Sequence, residues 1–347
     1  PRLFHEQIAY IIRHAEDRVL IFDADLLPIV EKIAPEISCV ERYVVLTDRA
    51  GIPASDSLDL VAYEDWIAAA GDDYAWPEFD ERAASSLCYT SGTTGNPKGV
   101  LYSHRSTLIH AFSVGQADSF ALSSLDTVMP IAPLFHANGW SLPYACPMVG
   151  ARMVLPGNRM DAASLHELLA GERVTFAVGV PTIWTMLLAY MAEQGVKLTA
   201  LDRCLVAGTA LPPAVRKALK EVHGVTAIHA WGMTETSPIG TISTPTPEVL
   251  ALPAGEREAE LLKQGRVPFG SEIQVRDAEG RVAPKNGETF GPLWIRGPWI
   301  ASGYFKGEGG QVLDADGWFP TGDVATWDEL GFMKITDRTK DVIKSGG

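Results

Sequence analysis

Short apolar segments alternate with longer amphipathic segments over the first 230 residues of the chain. The apolar segments have the length of buried strands, and the amphipathic segments have the period of helices. This alternation is typical of parallel sheets covered by helices and therefore predicts a fold of the α/β class. The predicted strands are 19–22, 43–46, 86–89, 127–131, 152–155, 175–178, 203–206 and 226–229, and the predicted helices are 4–15, 25–33, 103–119, 161–170, 181–193 and 213–222.

The pattern changes after about residue 265. Strand-like segments at 271–276, 291–296 and 332–335 are separated by turn-forming pairs such as Asn286-Gly287. They predict a smaller, mostly antiparallel β unit. The preceding segment, 243–263, is rich in Pro and Glu and is predicted to be irregular.

Composition places the chain among ordinary globular proteins. It has 347 residues, of which 46% are hydrophobic and 21% charged, so a core of normal size can form. The formal net charge of −14 argues against a nucleic-acid partner, which needs a basic surface. It does not argue against a single nucleotide held by local N–H groups and lysines.

Nothing in the sequence indicates a membrane segment or a secretion signal. There is no run of about 18 apolar residues, and the N-terminal segment lacks a basic stretch followed by an apolar one. The cysteines are far apart and have no zinc-type spacing, so we interpret them as reduced thiols that pack in the core. These features predict a cytoplasmic protein. The cysteines are Cys39, Cys88, Cys146 and Cys204.

The segment from Thr90 to Lys98 has the composition of a phosphate-binding loop. Its glycines let backbone N–H groups approach phosphate oxygens, its hydroxyls add donors and a metal contact, and its lysine adds a positive charge. It is not a Walker A loop, because Pro97 precedes the lysine and Gly99 follows it. The alternative is a surface turn. The residues that carry the prediction are Thr90, Ser91, Gly92, Thr93, Thr94, Gly95 and Lys98.

Four segments together resemble the core motifs of one family. They are residues 89–100, Trp231-Gly232-Met233-Thr234-Glu235, Thr321-Gly322-Asp323 and residues 337–344. In this order they are similar to the motifs of the adenylate-forming superfamily, which comprises acyl-CoA synthetases, luciferases and peptide-synthetase adenylation domains. The runs at 133–140, 179–184 and 344–347 most resemble those of medium- and long-chain fatty-acid–CoA ligases.

The resemblance implies two sandwiched α/β subdomains, a smaller β-barrel-like subdomain and a small mobile C-terminal domain. We expect residues 1–264 to form the α/β subdomains, truncated at the N-terminus, and residues 265–340 the barrel-like subdomain. Residues 341–347 would be the hinge and the start of a C-terminal domain that the chain lacks. Because the family's catalytic lysine lies in that domain, we expect the chain alone to be inactive or impaired.

The family's chemistry joins a carboxylate to ATP, giving an acyl-adenylate and pyrophosphate, and then transfers the acyl group to a thiol. The resemblance therefore implies ATP, Mg²⁺ and coenzyme A, with a fatty or other hydrophobic acid as the substrate. Two alternatives stay open: a nucleotide-binding fragment without efficient turnover, and an adenylating enzyme with a carrier protein or an oxygenase step as its end-point. The sequence also leaves homodimerisation open.

The same resemblance assigns nucleotide contacts outside the phosphate loop. Trp231 would offer a flat face to adenine, a kind of stacking worth about 1–3 kcal/mol in comparable contacts. Asp323 would accept both ribose hydroxyls, since a carboxylate accepts two hydrogen bonds at once. The remaining predicted nucleotide contacts are Gly208, Thr209, Ala210, His229, Ala230, Gly232, Arg338 and Lys344.

Metal and substrate contacts complete the implied site. Glu235 and Thr90 would bind Mg²⁺, and Thr234 would hydrogen-bond phosphate or the bound carboxylate. His136 would lie beside the acyl carboxylate, and Trp184 would gate the acyl tunnel. Lys340 would be the hinge. Ordinary core or surface positions remain the alternative for Trp231, His136, Trp184, Arg338 and the lysines. For Glu235 the alternative is the cap of a local turn.

Overall fold

A computed structural model of the chain describes residues 3–90 and 95–338, apart from the side chain of Arg338. The chain divides into two compact units, one of residues 1–80 and 89–99 and the other of residues 81–88 and 100–347. The domain boundaries expected from the sequence remain a proposal. Among the described residues, no helix combines the length and the apolar character needed to cross a bilayer.

The first unit contains a three-stranded parallel sheet in the order β1-β2-β3. Ile12 of its first helix packs against Ile33 and Ile37 in a small buried core. Single 3-10 turns occur at Ala24–Leu26, Ala34–Glu36 and Arg49–Gly51. The elements are α1 His5–Ala15, β1 Val19–Phe22, α2 Leu27–Ile33, β2 Arg42–Val45, β3 Leu60–Ala62 and α3 Tyr63–Ala68.

Two strands, β4 (Ala84–Tyr89) and β5 (Gly99–Ser103), pair with each other and flank the predicted phosphate-binding loop.

The second unit is built on a six-stranded sheet in the order β11-β10-β9-β8-β6-β7, in which only β11 is antiparallel to its neighbour. This sheet and its helices confirm the predicted α/β class. The elements up to its edge strand are α4 His104–Gly115, β6 Thr127–Pro130, α5 Ala137–Trp140, α6 Leu142–Val149, β7 Arg152–Met153, α7 Ala162–Gly171, β8 Phe176–Gly179, α8 Pro181–Gln194, β9 Arg203–Val206, α9 Pro213–His223, β10 Thr226–Gly232 and β11 Ile239–Ile242, with a 3-10 turn at Thr234–Thr236.

Helices cover both faces of this sheet. Along β8, Phe176 and Val178 belong to the core under α4 and α6, whereas Ala177 between them belongs to the core under α7, α8 and α9. Successive strand residues point to opposite faces, so both faces of a central strand must be apolar. This explains the continuous apolar runs that predicted these strands.

The segment 243–263, predicted to be irregular, is instead largely helical. It forms α10 (Pro247–Ala251) and α11 (Ala254–Leu261), so the prediction was wrong. Thr246 caps α10 by accepting a hydrogen bond from the Val249 N–H, and Pro247 occupies the first helical turn, where its missing N–H costs nothing.

The C-terminal part forms a four-stranded antiparallel sheet in the order β12-β13-β14-β15, which agrees with the predicted antiparallel unit. The sequence predicted three of its strands and missed the central strand β14. Its core contains Val275, Leu293, Ile295, Phe319 and Met333. The strands are β12 Glu272–Val275, β13 Gly291–Arg296, β14 Phe319–Trp327 and β15 Met333–Arg338, with a 3-10 turn at Phe305–Gly307.

Candidate functional site

Most of the predicted site residues in the second unit follow the carboxyl ends of parallel strands. His136 follows β6, the segment 208–210 follows β9, and Trp231 to Glu235 end and follow β10. In open parallel sheets, ligands bind outside the carboxyl ends of the strands. The topology therefore brings residues that are far apart in the sequence to one edge of one sheet.

Trp231 and Asp323 are hydrogen-bonded to each other. The indole Nε1–H of Trp231 donates to Oδ2 of Asp323 at 2.8 Å, which joins the end of β10 to β14. Trp231 is only 8% exposed and packs in the apolar core of the antiparallel sheet. Trp231 thus orients the predicted ribose acceptor, and its own contact with adenine stays a prediction.

Gly240 leaves the space that the Trp231 ring occupies. A Cβ atom at Gly240 would lie 2.2 Å from Cζ3 of Trp231, far inside van der Waals contact. We expect Gly240→Ala to displace the indole from Asp323 and to lower the free energy of unfolding by about 1–3 kcal/mol. Denaturant unfolding measures this change.

Gly255 in α11 provides the matched control. A Cβ atom there would meet nothing within 4 Å. Gly255→Ala should therefore leave stability unchanged or raise it by up to about 1 kcal/mol, because alanine favours a helix. Equal stability of Gly240→Ala and the wild type would contradict the packing argument.

His229 connects β10 to the wall of the predicted adenine site. Its buried imidazole lies between two backbone carbonyl oxygens, with Nδ1 2.9 Å from Leu262 and Nε2 3.3 Å from Thr209. Burial lowers the pKa of His229. Gly208, with a φ of 93°, begins the exposed segment that Thr209 and Ala210 continue.

Gly232 and Ala230 lie on the strand between these features. A Cβ atom at Gly232 would lie 1.7 Å from the carbonyl oxygen of Pro238, so only glycine allows this close approach. Ala230 is buried and paired with Ile242 of β11. Both residues help to fix the backbone at the carboxyl end of β10.

Glu235 is a buried carboxylate on the 3-10 turn after β10, with 4% of its surface exposed. The phenol of Tyr304 donates a hydrogen bond to its Oε1 atom at 2.6 Å. Burial and the neighbouring Glu235 raise the pKa of Tyr304, so the phenol keeps its proton. The phenol of Tyr102 donates to the carbonyl oxygen of Thr234 at 2.5 Å and fixes the preceding residue.

The donor chemistry at Glu235 fits Mg²⁺. A carboxylate oxygen is a hard ligand, and Mg²⁺ in nucleotide sites is held by one or two carboxylates together with phosphate oxygens and water. Among the described residues, no group of three or more His, Cys, Asp or Glu side chains could form a closed metal cage.

His136 precedes a turn with unusual backbone geometry. Five consecutive residues, 137–141, have φ between 43° and 64°, so α5 is a left-handed turn. Such a turn costs about 1–2 kcal/mol per non-glycine residue and must be held in place. Asn138 holds it by donating to Ser86 Oγ at 2.7 Å and accepting from Cys88 Sγ at 3.2 Å. Partial desolvation of its ring lowers the pKa of His136.

Trp184 lies away from solvent. It is completely buried in the core under α7, α8 and α9, and its indole N–H donates to the carbonyl oxygen of Gly179 at 3.3 Å. The geometry is that of a core tryptophan. Its contact with a substrate therefore stays a prediction.

The base of the phosphate loop is described in the first unit. The Thr90 N–H donates to the Lys98 carbonyl at 2.9 Å, and the Lys98 N–H donates to Thr90 Oγ1 at 3.1 Å. Tyr89 anchors the loop through a 2.7 Å hydrogen bond between its hydroxyl and His14 Nδ1. Gly95 has a φ of 118°, which favours glycine.

Several predicted residues fall outside the described part of the chain. They are Ser91, Gly92, Thr93 and Thr94 of the loop, and Lys340 and Lys344 after β15. The backbone of Arg338 pairs with Asp323 at the start of the β14–β15 ladder.

Sequence reasoning missed the residues that support the site. Tyr102, Tyr304 and Ser86 were not predicted, although each contacts a predicted or neighbouring residue. One usable signal was the presence of tyrosine in the apolar strand β5, because a buried phenol needs a hydrogen-bond partner. The sequence could not identify that partner.

Comparison with known proteins gives the family. A family model described as AMP-binding enzyme matches residues 1–305. The chain therefore belongs to the AMP-binding enzyme family, which confirms the resemblance to adenylate-forming enzymes.

Named relatives and a solved structure agree with this membership. The chain is 48% identical over 347 residues to a medium-chain-fatty-acid–CoA ligase of Ectopseudomonas oleovorans, covering 100% of this chain and 63% of the relative. It is also 48% identical to a 3-methylmercaptopropionyl-CoA ligase of Ruegeria pomeroyi, covering 64% of that protein. The crystal structure of the anthranilate CoA ligase AuaEII in complex with anthranoyl-AMP has a TM-score of 0.83 at 26% identity, over 100% of this chain and 64% of that one.

Proposed function

We propose that this chain forms the nucleotide-binding part of an ATP-dependent carboxylate–CoA ligase that activates a fatty or other hydrophobic acid. The observation that carries the proposal is the arrangement at the carboxyl end of β10. There Trp231 donates a hydrogen bond to the Asp323 carboxylate. The buried Glu235 lies on the 3-10 turn that follows β10. The relatives named above are CoA ligases for acids, which supports the same substrate class.

In the first reaction, a carboxylate oxygen of the acid attacks the α-phosphorus of ATP. A bond from carboxylate oxygen to phosphorus forms, the bond to the β-phosphate oxygen breaks, and pyrophosphate leaves. In the second, the sulfur of coenzyme A attacks the acyl carbon, AMP leaves, and the thiol proton is released. Bound Mg²⁺ would neutralise charge on the phosphates.

The residues of the chain would act by positioning and by electrostatics rather than as covalent nucleophiles. Asp323 would accept the ribose hydroxyls, with Trp231 fixing its orientation. Thr234 would donate to phosphate or to the acid, and Glu235 with Thr90 would hold the cation. The segment 208–210 and the backbone of β10 from His229 to Gly232 would flank the adenine.

Further contacts are proposed from the resemblance and from position. The loop residues 91–95 and Lys98 would bind phosphate oxygens, and Arg338 and Lys344 would serve the nucleotide. His136, at the left-handed turn, would lie beside the acyl carboxylate, with Trp184 at the acyl chain. Lys340 would be the hinge. A cytoplasmic location and a homodimer remain predictions from the sequence.

Acid-dependent exchange of labelled pyrophosphate into ATP tests the proposed first step. The full-length protein should catalyse exchange only when a suitable acid is present, and a panel of short, medium and long straight-chain acids should reveal the preferred length. Absence of exchange with every acid in the panel, in protein shown to be folded, would exclude this function.

A further inference from the structure

One segment of the chain, residues 299–304, holds the turn that carries Glu235 at three points. Ser237 Oγ donates to the Trp299 carbonyl at 2.7 Å. The Ala301 N–H donates to the Glu235 carbonyl at 2.8 Å. The third contact is the bond from the Tyr304 phenol to the Glu235 side chain.

The first two contacts fix the backbone of the turn, and the third reaches the carboxylate itself. A further backbone contact comes from Tyr102, which holds the Thr234 carbonyl from β5. With the backbone held on both sides, the remaining freedom of Glu235 lies in its side-chain torsions. The Tyr304 phenol restricts these torsions.

Tyr304 is itself fixed. Its ring packs edge-on against Phe319 of β14, with a centroid distance of 6.5 Å. Tyr304 is partly buried and packs against the core of the antiparallel sheet. A donor on a rigid ring can hold an acceptor in one orientation at little entropic cost. The contact thus transmits the rigidity of the sheet to the carboxylate.

We infer that Tyr304 is a positioning residue for Glu235, which it keeps in the single orientation that binds a divalent cation. The inference rests on the proposed function, in which Glu235 holds Mg²⁺ with the nucleotide phosphates. Mg²⁺ demands near-ideal octahedral geometry, so a carboxylate that rotates freely binds it less well. Tyr304 would act on the cation through Glu235.

Tyr304→Phe tests this role, because it removes one oxygen atom and keeps the ring that packs on Phe319. Calorimetry with the full-length protein would compare two affinities: that for ATP at saturating Mg²⁺, and that for AMP with a chelator present. We expect the affinity for Mg-ATP to fall about three- to tenfold, as for loss of one hydrogen bond, and the affinity for AMP to stay unchanged. The Mg²⁺ concentration needed for half-maximal ATP binding should rise.

Tyr190→Phe is the matched control. Tyr190 is a partly buried tyrosine of α8 in a different core, and its substitution should change neither affinity. A double-mutant cycle with Glu235→Gln gives a second test, since the effects of Tyr304→Phe and Glu235→Gln on Mg-ATP affinity should not be additive.

The outcomes separate the inference from the proposed function. If the wild type binds neither nucleotide, the proposed function fails. If the wild type binds Mg-ATP and Tyr304→Phe binds it equally well, the inference alone is overturned. Equal weakening of Mg-ATP and AMP binding, or additive effects in the cycle, would also overturn it, because they indicate a general structural role.

Discussion

Replacing Glu235 by glutamine should lower acid-dependent pyrophosphate exchange by about 100- to 1000-fold, the range seen when one preorganised electrostatic group is removed. Glutamine has nearly the same shape and still offers an oxygen to the Tyr304 phenol. It lacks the negative charge that would hold a cation against the phosphates. The free energy of unfolding should therefore change little while the exchange rate falls, and both are measured on the same protein.

Glu272→Gln is the control for this substitution. Glu272 is an exposed residue of β12 that pairs with Arg296 on the sheet surface. Its substitution should leave the exchange rate within experimental error of the wild type. An exchange rate in Glu235→Gln close to that of the control would remove Glu235 from the proposed site.

Replacing Asp126 by alanine should lower the free energy of unfolding by about 3–5 kcal/mol, because it leaves a largely buried cation without its carboxylate partner. Asp126 and Arg203 form a bidentate ion pair with both N···O distances at 3.0 Å. Their side chains are 8% and 17% exposed. Thr175 donates a further hydrogen bond to Asp126 at 2.7 Å. Chemical denaturation measures the loss.

The location of this pair explains the size of the expected effect. Asp126 immediately precedes β6, Thr175 precedes β8, and Arg203 begins β9, so the network ties together the amino ends of three parallel strands. This edge is opposite the carboxyl ends where the candidate site lies. We therefore expect a loss of stability without a selective loss of nucleotide affinity in the fraction that remains folded.

An exposed ion pair between a strand of the same sheet and the end of α7 provides the comparison. Arg152 and Glu172 have side chains that are 55% and 44% exposed, and Glu172→Ala should cost less than about 1 kcal/mol. If Asp126→Ala is no more destabilising than Glu172→Ala, the buried network does not stabilise the sheet.

The Asp126 pair also makes stability depend on pH. Burial raises the pKa of Asp126, but the hydrogen bonds from Arg203, Thr175 and Ser123 outweigh it, so the pKa is lowered overall. A lowered pKa in the folded state stabilises above the unfolded value of about 3.9, and this contribution is lost as the pH falls through the folded value. The stability difference between wild type and Asp126→Ala should therefore be largest near neutral pH and shrink in acid.

Much of the α/β fold could be predicted because its signals are local. Asp161 predicts the start of a helix, and its carboxylate accepts a hydrogen bond from the Ser164 N–H at the start of α7. The strand 203–206 has the bounds that the sequence predicts. The prediction for 243–263 was wrong for a local reason too. Proline breaks the interior of a helix, but Pro247 lies in the first turn of one.

The candidate site was predicted only in part, because its supporting contacts are not local. Tyr304 is 69 residues from Glu235, and Tyr102 is 132 residues from Thr234. The periodicity of a single sequence indicates local structure and does not identify contacts between residues so far apart. The same holds for Trp231. An aromatic residue at this position predicts a platform for adenine, but it does not predict the hydrogen bond to Asp323, which is 92 residues away. The left-handed turn after His136 also depends on a distant residue, Ser86.

The products formed from ATP distinguish an acid–CoA ligase from other ATP-dependent enzymes. The full-length protein would be incubated with ATP, coenzyme A, Mg²⁺ and the acid that gives the fastest pyrophosphate exchange. We expect acyl-CoA, AMP and pyrophosphate to form in equal amounts, and no AMP to form without the acid. Formation of ADP and phosphate in place of AMP, or AMP formation that does not depend on the acid, would contradict this expectation.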